Sequence, residues 1–125
     1  MAWEIVVVEP ALSWLHGLRR SDRDTLIQVS RAVAALQEEG PALGRPLVDT
    51  IKGSALSNLK ELRPGSAGAT EVRLLFVFDP DRQAVILVGG DKAGNWSGWY
   101  RAAVPRAEQA YADHLKRIEG EDGKR

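Results

Sequence analysis

Between Glu71 and Asp79 the chain alternates in twos. Val72, Leu74, Phe76 and Phe78 fall on one side of an extended strand, and Glu71, Arg73, Leu75 and Val77 on the other. Leu59-Lys60-Glu61-Leu62-Arg63 has the same strand-forming character, and Pro64-Gly65-Ser66-Ala67-Gly68-Ala69 supplies a turn, so the two arms predict a β-hairpin. Asp79-Pro80-Asp81-Arg82 is a second turn, followed by a third strand over Ala84–Gly89. Nearer the start, the β-branched run Trp3–Val8 predicts a strand buried on both faces.

After Pro10, placed at a first helical position, the spacing becomes helical. Leu12, Trp14, Leu15 and Leu18 share one side, and Arg19-Arg20 close the helix. Ser21 reads as the N-cap of a longer helix with the stripe Leu26, Val29, Val33 and Leu36, stopped at Gly40-Pro41. Arg19, Arg20, Arg23 and Arg31 form the solvated side of this helical pair. Residues 42–56 read as a loop. So does 90–100, with Gly89 and Gly90 ending the strand before it, and Pro105 opens a last helix with Ala107, Ala110 or Tyr111, His114, Leu115 and Ile118 inward. The expectation is one α+β domain over residues 1–118, its N-terminal strand and helical hairpin followed by a three-stranded antiparallel meander and a C-terminal helix. The helical pair packs on one side of the meander, and a charged, disordered tail occupies 119–125.

Composition narrows the function classes only a little. Seventeen basic residues balance seventeen acidic ones, so no global charge steers the chain to nucleic acid or membrane. The absence of cysteine excludes disulfides and thiolate-metal sites, and is compatible with a reducing cytosol. No signal peptide or membrane-length apolar run is expected, and no internal repeat is visible. His16 and His114 lack companions at metal-ligand spacing, so no metal is expected; His114 suits the edge of the core.

The chemistry gathers on the hairpin. Arg73 interrupts an apolar strand, and a guanidinium there needs a carboxylate or a polar cavity. A register that sets Arg63 opposite Glu71 also sets Glu61 opposite Arg73. The resulting patch is either a cross-strand salt-bridge ladder or an anion site with built-in acid and base groups. Lys92 follows the last strand and is expected over the face that carries Arg73, unless it is a solvated loop lysine. Gly89-Gly90-Asp91-Lys92-Ala93-Gly94 is not a phosphate loop, since no Lys-Ser or Lys-Thr follows its last glycine. Trp96, Trp99 and Tyr100 either lid the core or stack on unpaired bases.

Taken in order, Gly44-Arg45-Pro46-Leu47, Ile51-Lys52-Gly53, Leu59–Arg63, Val72–Phe76 and Ala84–Lys92 resemble the RelE/HigB superfamily, most closely its phage-derived, HigB-like branch. The resemblance covers nearly the whole chain. It implies a cytoplasmic toxin of a type II toxin–antitoxin pair, neutralised by an antitoxin of the helix-turn-helix kind. The activity it implies is ribosome-dependent mRNA cleavage through the 2′-hydroxyl, with no metal or other cofactor. Carried over, the family's basic positions map to Arg63, Arg73 and Lys92; the chemistry of metal-free cleavage then gives Arg63 and Arg73 the phosphoryl group, Lys92 the scissile phosphate or the role of acid, and Glu61, as the best candidate by position, that of general base. Lys60, Trp96, Trp99 and Tyr100 would contact RNA. The chain departs from the pattern in being neutral where family members are commonly basic. Two other classes fit the same family: a toxin that poisons gyrase by protein contact, and a non-catalytic antitoxin-binding or corepressor module.

Overall fold

A computed structural model describes residues 2–66 and 68–122. In chain order these form β1 (Glu4–Val7), α1 (Ala11–Ser21), α2 (Arg23–Glu39), a 3₁₀ turn (Gly40–Ala42), β2 (Val48–Thr50), β3 (Lys60–Leu62), β4 (Val72–Phe78), β5 (Gln83–Asp91) and α3 (Trp96–Asp122). The five strands make one sheet in the order β1-β5-β4-β3-β2. β1 runs parallel to β5, and every other pairing is antiparallel. α1 and α2 cover one face and α3 the other, giving the expected α+β architecture with one strand more than the meander required.

The alternation along β4 divides the apolar residues between two cores. Val72, Leu74 and Phe76 join Leu62, Ala84 and Ile86 beneath the stripe Leu18, Val29, Ala32 and Leu36 of the helical pair. Leu75 and Val77 join Leu59, Val85, Leu87 and Val88 beneath Ala103, Ala107 and Ala110 of α3. Both inner faces of β4 are thus sealed, and the strand is the hydrophobic centre of the domain. The alanine stripe of α3 lets that helix lie close to the sheet.

Several local expectations change. β1 is an edge strand and only partly buried. Asp22, not Ser21, caps α2: its carboxylate accepts from the Thr25 N–H at 3.1 Å and from the Thr25 hydroxyl at 2.6 Å. Pro10 precedes α1, whose first helical residue is Ala11. Within 42–56, Val48-Asp49-Thr50 pairs with β3 as a fifth strand, too short for its alternation to stand out in the sequence.

Gly89 and Gly90 lie inside β5 and do not end it. They admit two indoles on opposite faces of the sheet. A Cβ on Gly89 would run into Trp14 Cε3, and one on Gly90 would meet Trp99 Nε1 at 2.5 Å. Any larger residue at either position would therefore displace a tryptophan.

The last helix starts at Trp96 and carries Pro105 in its interior, so Trp96, Trp99 and Tyr100 are helical. Proline removes one N–H from the ladder, a cost that the packing of α3 on the sheet overrides. The helix continues to Asp122, past Glu119, where a tail was expected; residues 123–125 lie outside the described set. Among the described residues, no helix is long and apolar enough to cross a membrane.

Candidate active site

The observed hairpin register pairs Lys60 with Phe76, Glu61 with Leu75 and Leu62 with Leu74. It is slipped by two residues from the one that would set Glu61 opposite Arg73. An even slip preserves the faces, because side chains alternate with period two. Glu61 and Arg73 therefore still meet, diagonally, with Arg73 Nε 3.3 Å from Glu61 Oε1. The expected Arg63–Glu71 pair does not form; Arg63 instead reaches Glu61 Oε2 at 3.4 Å and Asp49 Oδ2 at 3.2 Å.

A bulge brings Lys92 to the same face. Leu75 is level with Val88 and Phe76 with Ile86, which leaves Leu87 as an extra residue in β5. Before the bulge the odd positions, such as Val85, face α3; after it the even positions do, including Val88 and Gly90. Lys92 continues that even series. Its ammonium lies 3.3 Å from the centroid of the Trp96 ring and 5.3 Å from that of Tyr100. Lys92 is almost wholly buried and, among the described residues, forms no ion pair. Burial pushes its pKa below the ordinary lysine value, and the Arg73 charge pushes the same way.

Glu61 is the hub. It is 4% exposed, faces both arginines, and accepts a 2.6 Å hydrogen bond from the Tyr100 hydroxyl at Oε1. Burial, reinforced by that hydrogen bond, raises the Tyr100 pKa to about 12. A phenol that holds its proton more tightly when folded stabilises the protein fully below its unfolded pKa of ~10. That contribution falls as pH rises through the window up to about 12. Tyr100→Phe is accordingly expected to lose less stability than the parent between pH 9 and pH 11.5, measured by urea unfolding.

An open cleft of about 460 Å³ lies over this cluster. Glu61, Arg63, Lys92, Trp96 and Tyr100 line it, together with Arg45, Asp49 and Lys52 from the β2 segment. Four cations thus line the cleft against two carboxylates, a local positive excess on a neutral chain. Asp49 and Arg45, the latter 3.2 Å away, are site residues that the sequence reading missed as such. The signal for Asp49 was Val48 and Thr50 flanking an acid, and Arg45 entered only as part of the Gly44-Arg45-Pro46-Leu47 motif. The β2–β3 connection that walls the cleft is pinned to α3: the Ser54 hydroxyl and the Ala55 N–H each donate to Glu108 Oε2 at 2.7 Å.

Three expected site residues are placed differently. Lys60 is paired with Phe76, whose side chain belongs to the core under α1 and α2, so it points away from the cleft. Trp99 packs on Gly90 and, edge to face, on Tyr100 at 5.1 Å between centroids, so it belongs to the core and not to the lining. Arg73 stands behind the lining: its side chain is 14% exposed, and Nη1 donates to the carbonyl of Val72 at 2.8 Å. It supports Glu61 and Tyr100 from beneath. His114 stacks on Tyr111 and lies 3.9 Å from Asp79, remote from the cleft.

Glu61→Gln is expected to lower stability by about 3 kcal/mol, the usual cost of leaving a buried arginine without its counter-charge. The urea midpoint measures it, and Glu61→Gln combined with Arg73→Met should recover much of the loss.

Comparison with known proteins identifies the family and the fold. The family model described as phage-derived protein Gp49-like matches residues 13–112. The chain belongs to the Gp49-like family. It is 52% identical over 118 residues to the Mycobacterium tuberculosis protein named "Putative toxin HigB2", covering 94% of this chain and 57% of that protein. Over 105 residues it is 45% identical to "Putative toxin HigB3" of the same organism, covering 84% of this chain and 87% of that one. The chain thus spans little more than half the length of the first of these relatives. The chain's fold is RelE-like. Solved neighbours are YoeB from Staphylococcus aureus (TM-score 0.55, 16% identity, 69% of this chain and 92% of that one) and an E. coli RelE double mutant (TM-score 0.53, 15% identity, 94% and 99%).

Proposed function

We propose that the chain is the toxin of a toxin–antitoxin pair and acts as an endoribonuclease on translated mRNA. The observation that carries this reading is the cleft itself. Cations exceed carboxylates on its walls, the buried Lys92 there forms no ion pair among the described residues, and an exposed tryptophan stands at its edge. Such a cleft suits a phosphodiester flanked by a base that can stack.

In this reading the 2′-hydroxyl of the RNA attacks the adjacent phosphorus and expels the 5′-oxygen of the next nucleotide. Arg63 grips the non-bridging oxygens, with Arg45 and Lys52 within reach of neighbouring phosphates. Lys92, as its ammonium, protonates the departing 5′-oxygen, because its surroundings have loosened its proton, and the 2′-hydroxyl proton is released to solvent in the open cleft. Glu61 is reassigned from general base to anchor. Its two oxygens are already engaged by two arginines and a phenol, so it holds these groups in place. Tyr100 stays protonated at neutral pH and orients Glu61. Trp96, 57% exposed, is the stacking platform. A cytoplasmic site of action and an antitoxin of the helix-turn-helix kind belong to the same reading.

Primer extension on mRNA after induction tests it. The expected result is new 5′ ends within translated regions, and upstream fragments ending in a 2′,3′-cyclic phosphate. Growth arrest with intact mRNA and damaged DNA would replace it by the gyrase-poison reading, and absence of any growth effect by the non-catalytic one.

A further inference from the structure

The wall of the cleft that carries Lys52 is held from outside the site. α3 lends the cleft Trp96, Tyr100 and Val104, each four residues after the last, and the next member of that row is Glu108. Glu108 lies one turn beyond the lining. Its Oε2 accepts from the Ser54 hydroxyl and from the Ala55 N–H, both at 2.7 Å, and the Ser54 oxygen in turn accepts from the Leu56 N–H at 3.0 Å. One carboxylate oxygen thus gathers three consecutive residues, directly or through Ser54. The two donors hold the Glu108 carboxyl below the usual carboxylate range.

Lys52 stands two residues before this clasp. It lies past the end of β2 at Thr50, so the sheet does not fix it. It is exposed and, among the described residues, forms no ion pair, which leaves its charge available to a phosphate. Gly53, between Lys52 and Ser54, turns the chain at φ +83°, a conformation that favours glycine. A Cβ there would meet nothing within 4 Å, so the backbone and not space calls for the glycine. The ends of the connection are secured separately. The Ile51 N–H donates to the Leu59 carbonyl at 2.9 Å, and Ile51 and Leu56 pack into the core beneath α3. Between those ends, residues 52–55 are tied to the fold through Glu108.

We propose that Glu108 is a positioning residue for RNA: by clasping Ser54 and Ala55 it fixes the stretch from which Lys52 reaches a phosphate beside the scissile one. This rests on the nuclease reading above. Glu108 meets neutral donors and, among the described residues, none of the cleft's cations, so it orders the wall without cancelling the positive excess. A contact with a neighbouring phosphate is the same before and during the reaction, so its loss falls on KM and not on kcat. Arg63 and Lys92, which carry the chemistry, follow β3 and β5 and lie outside the clasped stretch.

Steady-state cleavage of mRNA on translating ribosomes by the full chain tests this, using Glu108→Ala, Glu108→Gln, Lys52→Ala and the double variant Glu108→Ala, Lys52→Ala. Glu108→Ala is expected to raise KM about 10-fold, the worth of one charge-assisted contact, and to leave kcat within about twofold. Long-range electrostatics alone gives the opposite sign, because the variant removes a negative charge near a site for a polyanion. Glu108→Gln loses the same charge but keeps an oxygen for both donors, so its KM should stay at or below that of the parent. Lys52→Ala should raise KM by a similar factor, and the double variant no further than Lys52→Ala, since Glu108 acts through Lys52. A parental or lower KM in Glu108→Ala, a Glu108→Gln protein as impaired as Glu108→Ala, or losses that add in the double variant would each overturn the inference. So would a fall in kcat at unchanged KM. If the parent cleaves nothing, the nuclease reading fails and takes this inference with it; a parent that cleaves, with a KM unmoved by Glu108→Ala, removes the inference alone.

Discussion

Lys92→Met is expected to abolish mRNA cleavage while making the protein more stable. The ammonium is buried beneath Trp96 and, among the described residues, no carboxylate pairs with it directly; its desolvation outweighs the attraction of Glu61 and Glu71 and lowers its pKa. Methionine fills similar space, keeps the contact with the indole and has no charge to desolvate. The sign of the pH dependence follows from the lowered lysine pKa. In the window between that value and the unfolded value of ~10.4, the unfolded chain binds the proton more readily, so parent stability rises with pH there. The advantage of Lys92→Met should be fully present below the folded pKa and shrink as pH approaches the ordinary lysine value. Urea midpoints for the two proteins at pH 7 and pH 10 would show it. Activity should move the other way, with a loss of about 10²–10⁴-fold, the usual contribution of a positioned proton-transfer group. In the parent the alkaline limb of the rate profile should fall earlier than an unperturbed lysine would allow, because the protonated form is depleted there. Lys92→Arg should remove that limb, since arginine does not titrate in this range.

The two arginines should separate into different roles. Arg63→Ala is expected to cost about 10²–10³-fold in cleavage, comparable to removing one preorganised donor from a developing anion. Its effect on stability should stay within ~1 kcal/mol, because the side chain is 34% exposed and water can replace its partners. Arg73→Ala should also silence the toxin, but with a fall in the urea midpoint, because Glu61 loses its buried counter-charge and Tyr100 its support. Cleavage by purified variants, read beside their urea curves, distinguishes the roles. An Arg73→Ala protein as stable as the parent and inactive would move Arg73 into the cleft as a phosphate ligand. An active Arg63→Ala protein would remove the clamp assigned here.

The expected residues largely converged, although part of the reasoning that joined them did not hold. Glu61 and Arg73 meet, yet through a diagonal and not a direct pair, because the slip of two residues keeps the faces and alters only the neighbours. Tyr100 was seen as an aromatic for RNA. Its hydrogen bond to Glu61 depends on α3 beginning before Pro105, against the local rule that proline opens or breaks a helix. Trp96 and Tyr100 share the cleft because they are one helical turn apart, whereas Trp99 is turned toward Gly90 by the same geometry. Asp49 and Arg45 lie in a segment too short to show a period.

What the amino-acid pattern determined alone is the part governed by local periodicity. It assigned β4 its two faces, the helical pair its stripe, Arg73 its place among apolar neighbours, and the chain its class. Those follow from geometry that repeats every two or 3.6 residues and survives any arrangement of the elements. Tertiary structure decided what depends on one residue more or less. The single extra residue at Leu87 transfers the even positions of β5 to the α3 side, and with them Lys92. Strict alternation would have sent that lysine to the opposite face, away from Arg63. Local propensity does not specify where a strand bulges. Here the site depends on that bulge, which lies where the strand pair is covered by a core on each face.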